Sequence, residues 1–373
     1  MNNKNIDING AKILRLGLGM SKLGSQSYNS HDYVKQRLSI LDSISELGKI
    51  FLDTAPLYGA GFSELILGSY LKKKRNNFFL ATKFFPSEAD SVAQTIEKIK
   101  MSLKRLQSDY VDLLQIHWPN ALIEDEFLLE MLEEIKNQSL CSNLGTCNYS
   151  AKGIDRLIQK KPNLILATNQ IEFNLMTHAL HDKAKIRKAK SIQVAYGILN
   201  QGRMAYSEQQ LNFLKSIADN RNCKLETVVL AWCLSYKNII PLTKVSSLDH
   251  LIPLLEAFDH VLSQGEIDKL EGFSTYAVKL LNSDAIELIS DGYRQPYTTV
   301  SEAYENKIDL IPSPYSLAQK FLDDKTIIPI KVYSKSNGKY SIAEYDPIGD
   351  SKIYWAWRIA FPQKKIPVYI INE

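Results

Sequence analysis

The chain has 373 residues, 45% hydrophobic and 23% charged, with 45 Lys and Arg against 41 Asp and Glu. That balance excludes a disordered or collagen-like chain, and a length beyond roughly 250–300 residues implies one large domain plus something smaller. A formal charge of +4 leaves no basic stripe suited to nucleic acid: the one dense cluster, Lys72-Lys73-Lys74-Arg75, follows an apolar helical segment and reads as a solvated helix C-terminus.

Residues 1–14 are polar, with no apolar stretch leading to a cleavage site, and no apolar run approaches the roughly 18 residues of a membrane span. The four cysteines, Cys141, Cys147, Cys223 and Cys233, show neither CxxC pairing nor metal-ligand spacing with His. The expectation is a cytoplasmic protein with reduced thiols, no metal and no membrane or nucleic-acid partner. The sequence specifies no oligomeric state.

In chain order, Asn5–Leu14 predicts a two-strand hairpin turning at Asn9-Gly10. Short apolar runs follow at Leu14–Met20, Ile50–Ala55, Phe78–Phe85, Val111–Trp118, Asn143–Asn148, Leu164–Phe173, Ile192–Leu199 and Ile239–Val245. Each is rich in β-formers and lacks alternation, as strands buried on both faces do. Amphipathic stretches separate them. In the first, Val34, Leu38, Leu41, Ile44 and Leu47 recur every three or four residues, with Asp32 as the expected cap. Eight such units predict an α/β fold, a (β/α)8 TIM barrel over residues 1–275, with an open doubly wound sheet as the alternative. Residues 276–313, broken by Gly292, Pro296 and Pro312, read as tail and linker. Residues 314–373 read as a small α+β domain. Its expected elements are a helical Leu317–Phe321, strands Ile327–Tyr333 and Lys339–Tyr345, a helical Ser351–Ala360 and a closing strand Val368–Ile371.

Residues that act in a barrel lie at the C-terminal ends of its strands. The segments Leu52-Asp53-Thr54-Ala55-Pro56-Leu57-Tyr58-Gly59, Ala81-Thr82-Lys83 and Gln115-Ile116-His117-Trp118 bring an acid, a phenol, an amine and an imidazole to one mouth. Burying Asp53 and Lys83 is costly unless they pair. The paired ammonium beside Tyr58 is expected to lower the phenol from its usual ~10 toward working pH. Such a tyrosine can protonate a carbonyl oxygen while hydride reaches the carbon, with His117 orienting the oxygen.

The runs LDTAPLYGAGFSELILG, ATKFF and DYVDLLQIHWP resemble the aldo-keto reductases, and the resemblance covers roughly residues 10–275. It implies NAD(P)H-dependent reduction of an aldehyde, ketone or sugar-like carbonyl, or the reverse alcohol oxidation, with Asp53, Tyr58, Lys83 and His117 as the catalytic residues. Gly145-Thr146-Cys147-Asn148-Tyr149-Ser150 resembles a strand-end motif whose Asn, here Asn148, binds the nicotinamide carboxamide together with Gln170. Val194-Ala195-Tyr196-Gly197 resembles the segment whose aromatic, here Tyr196, stacks on the nicotinamide. Gly197 leads into the loop carrying Leu199, Gln201 and Gly202, which resembles the stretch near the cofactor pyrophosphate. At the adenosine end the family's Glu-Asn pair is replaced by Pro253-Leu254 and its arginine is missing. Lys244, Ser246 and Ser247 remain to hold a 2′-phosphate, which favours NADPH with NADH as the alternative. Met20, Trp118 and Tyr149 are the candidate pocket walls. Cys147 stands where the family commonly has Ser, and reads as packing or a weak hydrogen-bond donor; it is not read as a nucleophile, because no base is visible beside it.

The small domain carries a second resemblance. Ile328-Pro329-Ile330-Lys331-Val332, Gly338-Lys339-Tyr340-Ser341-Ile342, Gly349-Asp350-Ser351-Lys352 and Ile366-Pro367-Val368 resemble the ParB/sulfiredoxin fold. In that fold a Gly-x-x-Arg sequence opens a helix and binds nucleotide phosphates. Gly349, Asp350, Ser351 and Lys352 are thus a candidate second nucleotide site, with Lys in place of Arg and Asp350 in place of the sulfiredoxin cysteine. Tyr354, Trp355 and Trp357 read as core and interface rather than a base-stacking platform. Two further readings follow: a cofactor-sensing regulatory subunit, and a bifunctional reductase whose small domain binds a nucleotide.

Overall fold

The computed structural model describes residues 3–24, 30–87, 89–120, 123–149, 151–175, 191–199, 206–245, 247–274, 279–287, 297, 299–306, 313–324, 330–335, 337–342 and 347–371. The chain forms two compact units, Met1–Pro119 with Asp125–Ser274, and Asn120–Glu124 with Thr275–Glu373.

The first unit opens with a hairpin of β1 (Asn5–Ile8) and β2 (Ala11–Leu14). Its two turn residues, Asn9 and Gly10, lie at φ 48° and 89°, the conformation a two-residue turn needs to follow the strand twist. Eight parallel strands then close a barrel. They are β3 (Gly17–Gly19), β4 (Ile50–Asp53), β5 (Phe78–Phe84), β6 (Val111–Ile116), β7 (Cys141–Cys147), β8 (Leu166–Glu172), β9 (Ile192–Tyr196) and β10 (Ile239–Thr243). Phe51, Phe79, Leu113, Val194 and Ile240 fill the interior near the N-terminal strand ends. Ile8 and Ile13 of the hairpin join this cluster and plug that end. Each such side chain, fully buried, contributes about 1.5–3 kcal/mol. The buried Arg15 guanidinium ties the seam between β3 and β10, donating to the carbonyls of Ile239 and Leu234 at 2.8 Å each.

The helices wrap the barrel: α1 (His31–Ser45), α2 (Phe62–Leu71), α3 (Val92–Arg105), α4 (Asp125–Asn137), α5 (Ala151–Lys160), α6 (Glu208–Arg221), α7 (Leu225–Leu234), α8 (Ile252–Glu256) and α9 (Gln264–Glu271). The cap of α1 is Ser30, not Asp32: the Ser30 hydroxyl accepts the Tyr33 N–H, and Asp32 lies in the first turn, where the helix dipole favours it. Ser91, Ser207 and Ser263 close capping boxes with Gln94, Gln210 and Glu266.

The second unit is a five-stranded mixed sheet with helices. Its strands β11 (Lys279–Leu281), β12 (Ile286–Glu287), β13 (Ile330–Ser334), β14 (Tyr340–Ile342) and β15 (Ile366–Ile371) run in the order β11-β15-β13-β14-β12. The helices are α10 (Val300–Tyr304), α11 (Pro314–Asp324) and α12 (Pro347–Ala360). Residues 276–313 are therefore more than a linker, since they supply β11, β12 and α10, and Tyr297 and Ala303 enter the core. Edge strands of two and three residues, with Lys279 and Leu280 exposed, leave no apolar run to read. The last helix starts at Pro347, four residues before Ser351, because Pro suits the first helical position, where no N–H is needed. Tyr354, Trp355 and Trp357 are buried in the core.

Candidate functional site

Strand register gathers the site. Pairing sets Asp53 opposite Ala81 and Lys83 opposite Gln115. Side chains alternate along a strand, so Asp53 shares the inward face with Phe51, Lys83 with Phe79 and Ala81, and Gln115 with Leu113. The apolar interior thus gives way to polar groups at the C-terminal rim.

Lys83 is the hub. Its ammonium, in a side chain 1% exposed, lies 2.6 Å from Asp53 Oδ1, 2.9 Å from the Thr54 carbonyl and 3.2 Å from the Tyr58 hydroxyl. Tyr58 donates to Asp53 Oδ2 over a longer 3.5 Å. Burial alone would lower the Lys83 pKa, but the Asp53 charge overrides it and holds the amine raised, a cation at every working pH. Complete burial raises the Asp53 carboxyl against the opposing pull of Lys83.

Tyr58 departs from the sequence expectation. Burial pushes its pKa up to about 12, and Lys83 offsets only part of that shift. The half-buried ring loses more phenolate hydration than one ammonium at 3.2 Å, itself paired with Asp53, returns. Tyr58 is therefore a phenol at working pH, carrying its proton. His117, just beyond β6, lies with its ring centroid 6.1 Å from that of Tyr58 and 4.6 Å from that of Phe85. Burial and the Lys83 charge push it down to about 2, so the imidazole is neutral. Its Nδ1 is buried without a hydrogen-bond partner.

The segment carrying Tyr58 is clamped from behind by residues that the sequence reading missed. Gly59, Ala60 and Gly61 follow one another at φ 58°, 54° and 91° and reverse the chain into α2. A Cβ on Gly61 would lie 2.9 Å from Arg105 Cδ, so glycine is needed there for space as well as for φ. Glu64, fully buried, accepts from Thr82 Oγ1 at 2.6 Å and from Arg105 Nε at 2.7 Å. Ser63 bonds Thr54 Oγ1 at 2.9 Å and the Met20 carbonyl at 3.2 Å. The available signal was a carboxylate in the middle of the apolar run Phe62-Ser63-Glu64-Leu65-Ile66-Leu67.

Around the rim, Asn148 adopts φ 61°, and its Oδ1 accepts the Tyr196 hydroxyl at 2.9 Å. Gln170 turns inward: its Oε1 accepts from Gln115 Nε2 at 3.1 Å, and its side chain hydrogen-bonds Asp53. Buried Cys147 donates to the same Oε1 at 3.8 Å, and burial raises its pKa, so it is no thiolate nucleophile. Gly197, at φ 70°, and the half-buried Leu199 follow Tyr196, while Gln201, Gly202 and Ser246 lie outside the described residues. Lys244 is exposed just past β10, Ser247 is half-buried, and Pro253 and Leu254 are buried. Of the pocket-wall candidates only Trp118, at 37% exposure, reaches solvent; Met20 and Tyr149 are buried, at 1% and 8%. Ser351 is also buried, its hydroxyl unpartnered, while Lys352 is half-buried on α12. Among the described residues no group of three or more His, Cys, Asp or Glu could hold a metal ion.

Fold and site define a class: a TIM-barrel enzyme whose titratable groups converge at the C-terminal rim. The chain belongs to the aldo/keto reductase family, whose model matches residues 15–275, and is thereby an NAD(P)-dependent oxidoreductase. It is 30% identical over 204 residues to the aldo-keto reductase YhdN of Bacillus subtilis, spanning 52% of this chain and 60% of that protein. To the methylglyoxal reductase YeaE of Escherichia coli it is 27% identical over 240 residues, 64% of this chain and 84% of the relative. Among solved structures, the thermostable aldo-keto reductase Tm1743 matches with a TM-score of 0.64 and 26% identity, covering 72% of this chain and 99% of that one. An aldo/keto reductase from Klebsiella pneumoniae, solved with NADP and acetate, matches with a TM-score of 0.62 and 23% identity over 73% and 95% of the two chains.

Proposed function

We propose that this chain reduces a small aldehyde, ketone or sugar-like carbonyl with NADPH, and that Tyr58 delivers the proton. The observation that carries the reading is the Tyr58 hydroxyl 3.2 Å from an ammonium that is itself 2.6 Å from a buried carboxylate. Lys83 holds the phenolic oxygen in place and stabilises the phenolate formed as the proton leaves. Asp53 keeps Lys83 charged. Neutral His117 retains one ring N–H, which suits it to donate to the carbonyl oxygen without competing for the proton. The nicotinamide, when bound, supplies the hydride that completes the reduction at carbon.

The residues fit that group at the nicotinamide end. The Asn148 carbonyl oxygen is taken by Tyr196, which leaves its amide N–H groups to bind a carboxamide oxygen beside the Tyr196 ring. The inward turn of Gln170 favours a role in fixing Asp53 over one in contacting the cofactor. NADPH as the partner is supported by the family and by relatives solved with NADP. Four unpaired cysteines support a reducing, cytoplasmic setting. The ParB/sulfiredoxin likeness of residues 314–373 rests on sequence motifs alone, and Ser351 in its candidate phosphate motif is buried.

Tyr58→Phe tests the central assignment. Turnover should fall by about 10²-fold or more while NADPH still quenches protein fluorescence with unchanged affinity. Near-normal kcat in that variant would remove Tyr58 from the role.

A further inference from the structure

We propose that Thr168 and Gln115 are positioning residues for the reaction: together they set the direction of a buried hydrogen-bond chain that ends on Asp53. The inference rests on the proposed reductase activity and extends it beyond the groups at the reacting atoms. Thr168 Oγ1 donates to Gln115 Oε1 at 3.2 Å, Gln115 Nε2 donates to Gln170 Oε1 at 3.1 Å, and the Gln170 side chain bonds Asp53. Thr168 and Gln115 are fully buried and Gln170 nearly so, and each polar atom of the chain therefore depends on its neighbour rather than on bulk water. Gln115 on β6 and Thr168 on β8 both pair with Gly145 of β7. Their side chains meet across the intervening strand because Gly145 has none. A Cβ there would collide with Thr168 Oγ1 and lie 3.2 Å from Gln115 Cγ.

An amide can face either way, so two amides in a row need their neighbours to choose a direction. An ionised Asp53, 2.6 Å from the Lys83 ammonium, can only accept, which turns Gln170 Nε2 toward it and Oε1 toward Gln115. Cys147 Sγ donates to the same Oε1 at 3.8 Å and favours the same orientation. Gln115 must then present its N–H to Gln170 and its Oε1 to Thr168, whose hydroxyl supplies the donor that this orientation needs. Without that hydroxyl, Oε1 is an unsatisfied buried acceptor, and the amide gains by turning away and releasing Gln170. Asp53 thus keeps a fixed N–H donor that, with Lys83, opposes the effect of its burial. A reversed Gln170 would aim a carbonyl at the carboxylate and loosen the pair that holds Tyr58 in place.

Thr168→Val and Thr168→Ser separate this role from packing. Val keeps the shape and removes the hydroxyl; Ser keeps the hydroxyl and loses a buried methyl. Steady-state reduction of methylglyoxal at saturating NADPH should show kcat about three- to tenfold lower in Thr168→Val, with KM little changed, and near wild type in Thr168→Ser. Packing alone would reverse that order, with Ser the poorer variant, and would overturn the proposal. Gln115→Met breaks the chain in its middle and should lose at least as much kcat as Thr168→Val. Tyr58→Phe, assayed alongside, tests the underlying activity. Turnover retained in Tyr58→Phe defeats the proton-donor reading; turnover abolished there but unchanged in Thr168→Val overturns only the chain. A Thr168→Val loss confined to NADPH affinity, read by fluorescence quenching, likewise overturns it, since Gln170 would then serve the cofactor rather than Asp53.

Discussion

Replacing Lys83 by Met separates what the buried pair does for stability from what it does for chemistry. Met keeps the chain length but deletes three donated bonds, at 2.6 Å to Asp53, 2.9 Å to Thr54 and 3.2 Å to Tyr58. Asp53, with a side chain 2% exposed, is left as an uncompensated buried carboxylate, at a cost of about 3–5 kcal/mol near neutral pH. It can escape that cost only by taking up a proton. In the variant its folded pKa then lies above the unfolded value of about 3.9, so stability is fullest below about pH 4. That stability is lost as pH rises through the folded pKa, by up to about 1.4 kcal/mol per unit. A deficit of about 3–4 kcal/mol therefore develops over about 2–3 pH units. Lys83→Met/Asp53→Asn carries no charge at this position and lacks that slope. Urea unfolding of the two variants between about pH 4.5 and 8 should show them nearly equal at the acid end and about 3–4 kcal/mol apart by about pH 7. Parallel stability curves would refute the reasoning, because the Asp53 carboxylate would then be at ease without its partner.

The clamp behind Tyr58 is open to the same kind of test. Glu64→Gln keeps the bond from Thr82 but loses the charge paired with Arg105, so stability should drop by about 1–3 kcal/mol in urea unfolding and kcat should fall more than KM rises. Gly61→Ala puts a Cβ at φ 91° and 2.9 Å from Arg105 Cδ, and should lower stability by about 1–3 kcal/mol, as read from the urea midpoint.

The barrel was legible because strands covered on both faces must be apolar throughout, and β5, Phe78–Phe84, carries one charge in seven residues, at the position that acts. The hairpin was legible for a different reason: Asn9-Gly10 is among the few pairs that tolerate two positive φ angles. Asp53, Lys83 and His117 stood out as polar interruptions at strand ends. Glu64 interrupted α2 in the same way and was passed over, since a helix has a solvent face on which a carboxylate is unremarked; only tertiary packing shows that this one faces inward. Short β11 and β12 were invisible because their pairing energy comes from β15 and β14, remote in sequence. The direction of the Tyr58 shift was unreadable too. It is a competition between burial and one nearby charge, and sequence supplies the charge without the depth.

That direction has a kinetic consequence. With Tyr58 at about 12 and His117 at about 2, neither group titrates in the working range. Carbonyl reduction needs the protonated phenol, so its kcat/KM should be flat from about pH 6 to about pH 10, with no acid limb near the ordinary histidine value of ~6.5. Alcohol oxidation by the same site needs the phenolate to accept a proton, and the phenolate fraction grows about tenfold per pH unit below the pKa. Its kcat/KM should therefore climb with unit slope across the whole of that interval. The lowered phenol expected from the Lys83 charge alone gives another pattern, in which reduction declines and oxidation levels off within the same interval. Initial rates in both directions, with saturating cofactor and one carbonyl–alcohol pair, distinguish the two. An oxidation plateau by about pH 8 would show that Lys83, rather than burial, sets the acidity of Tyr58 in the working enzyme.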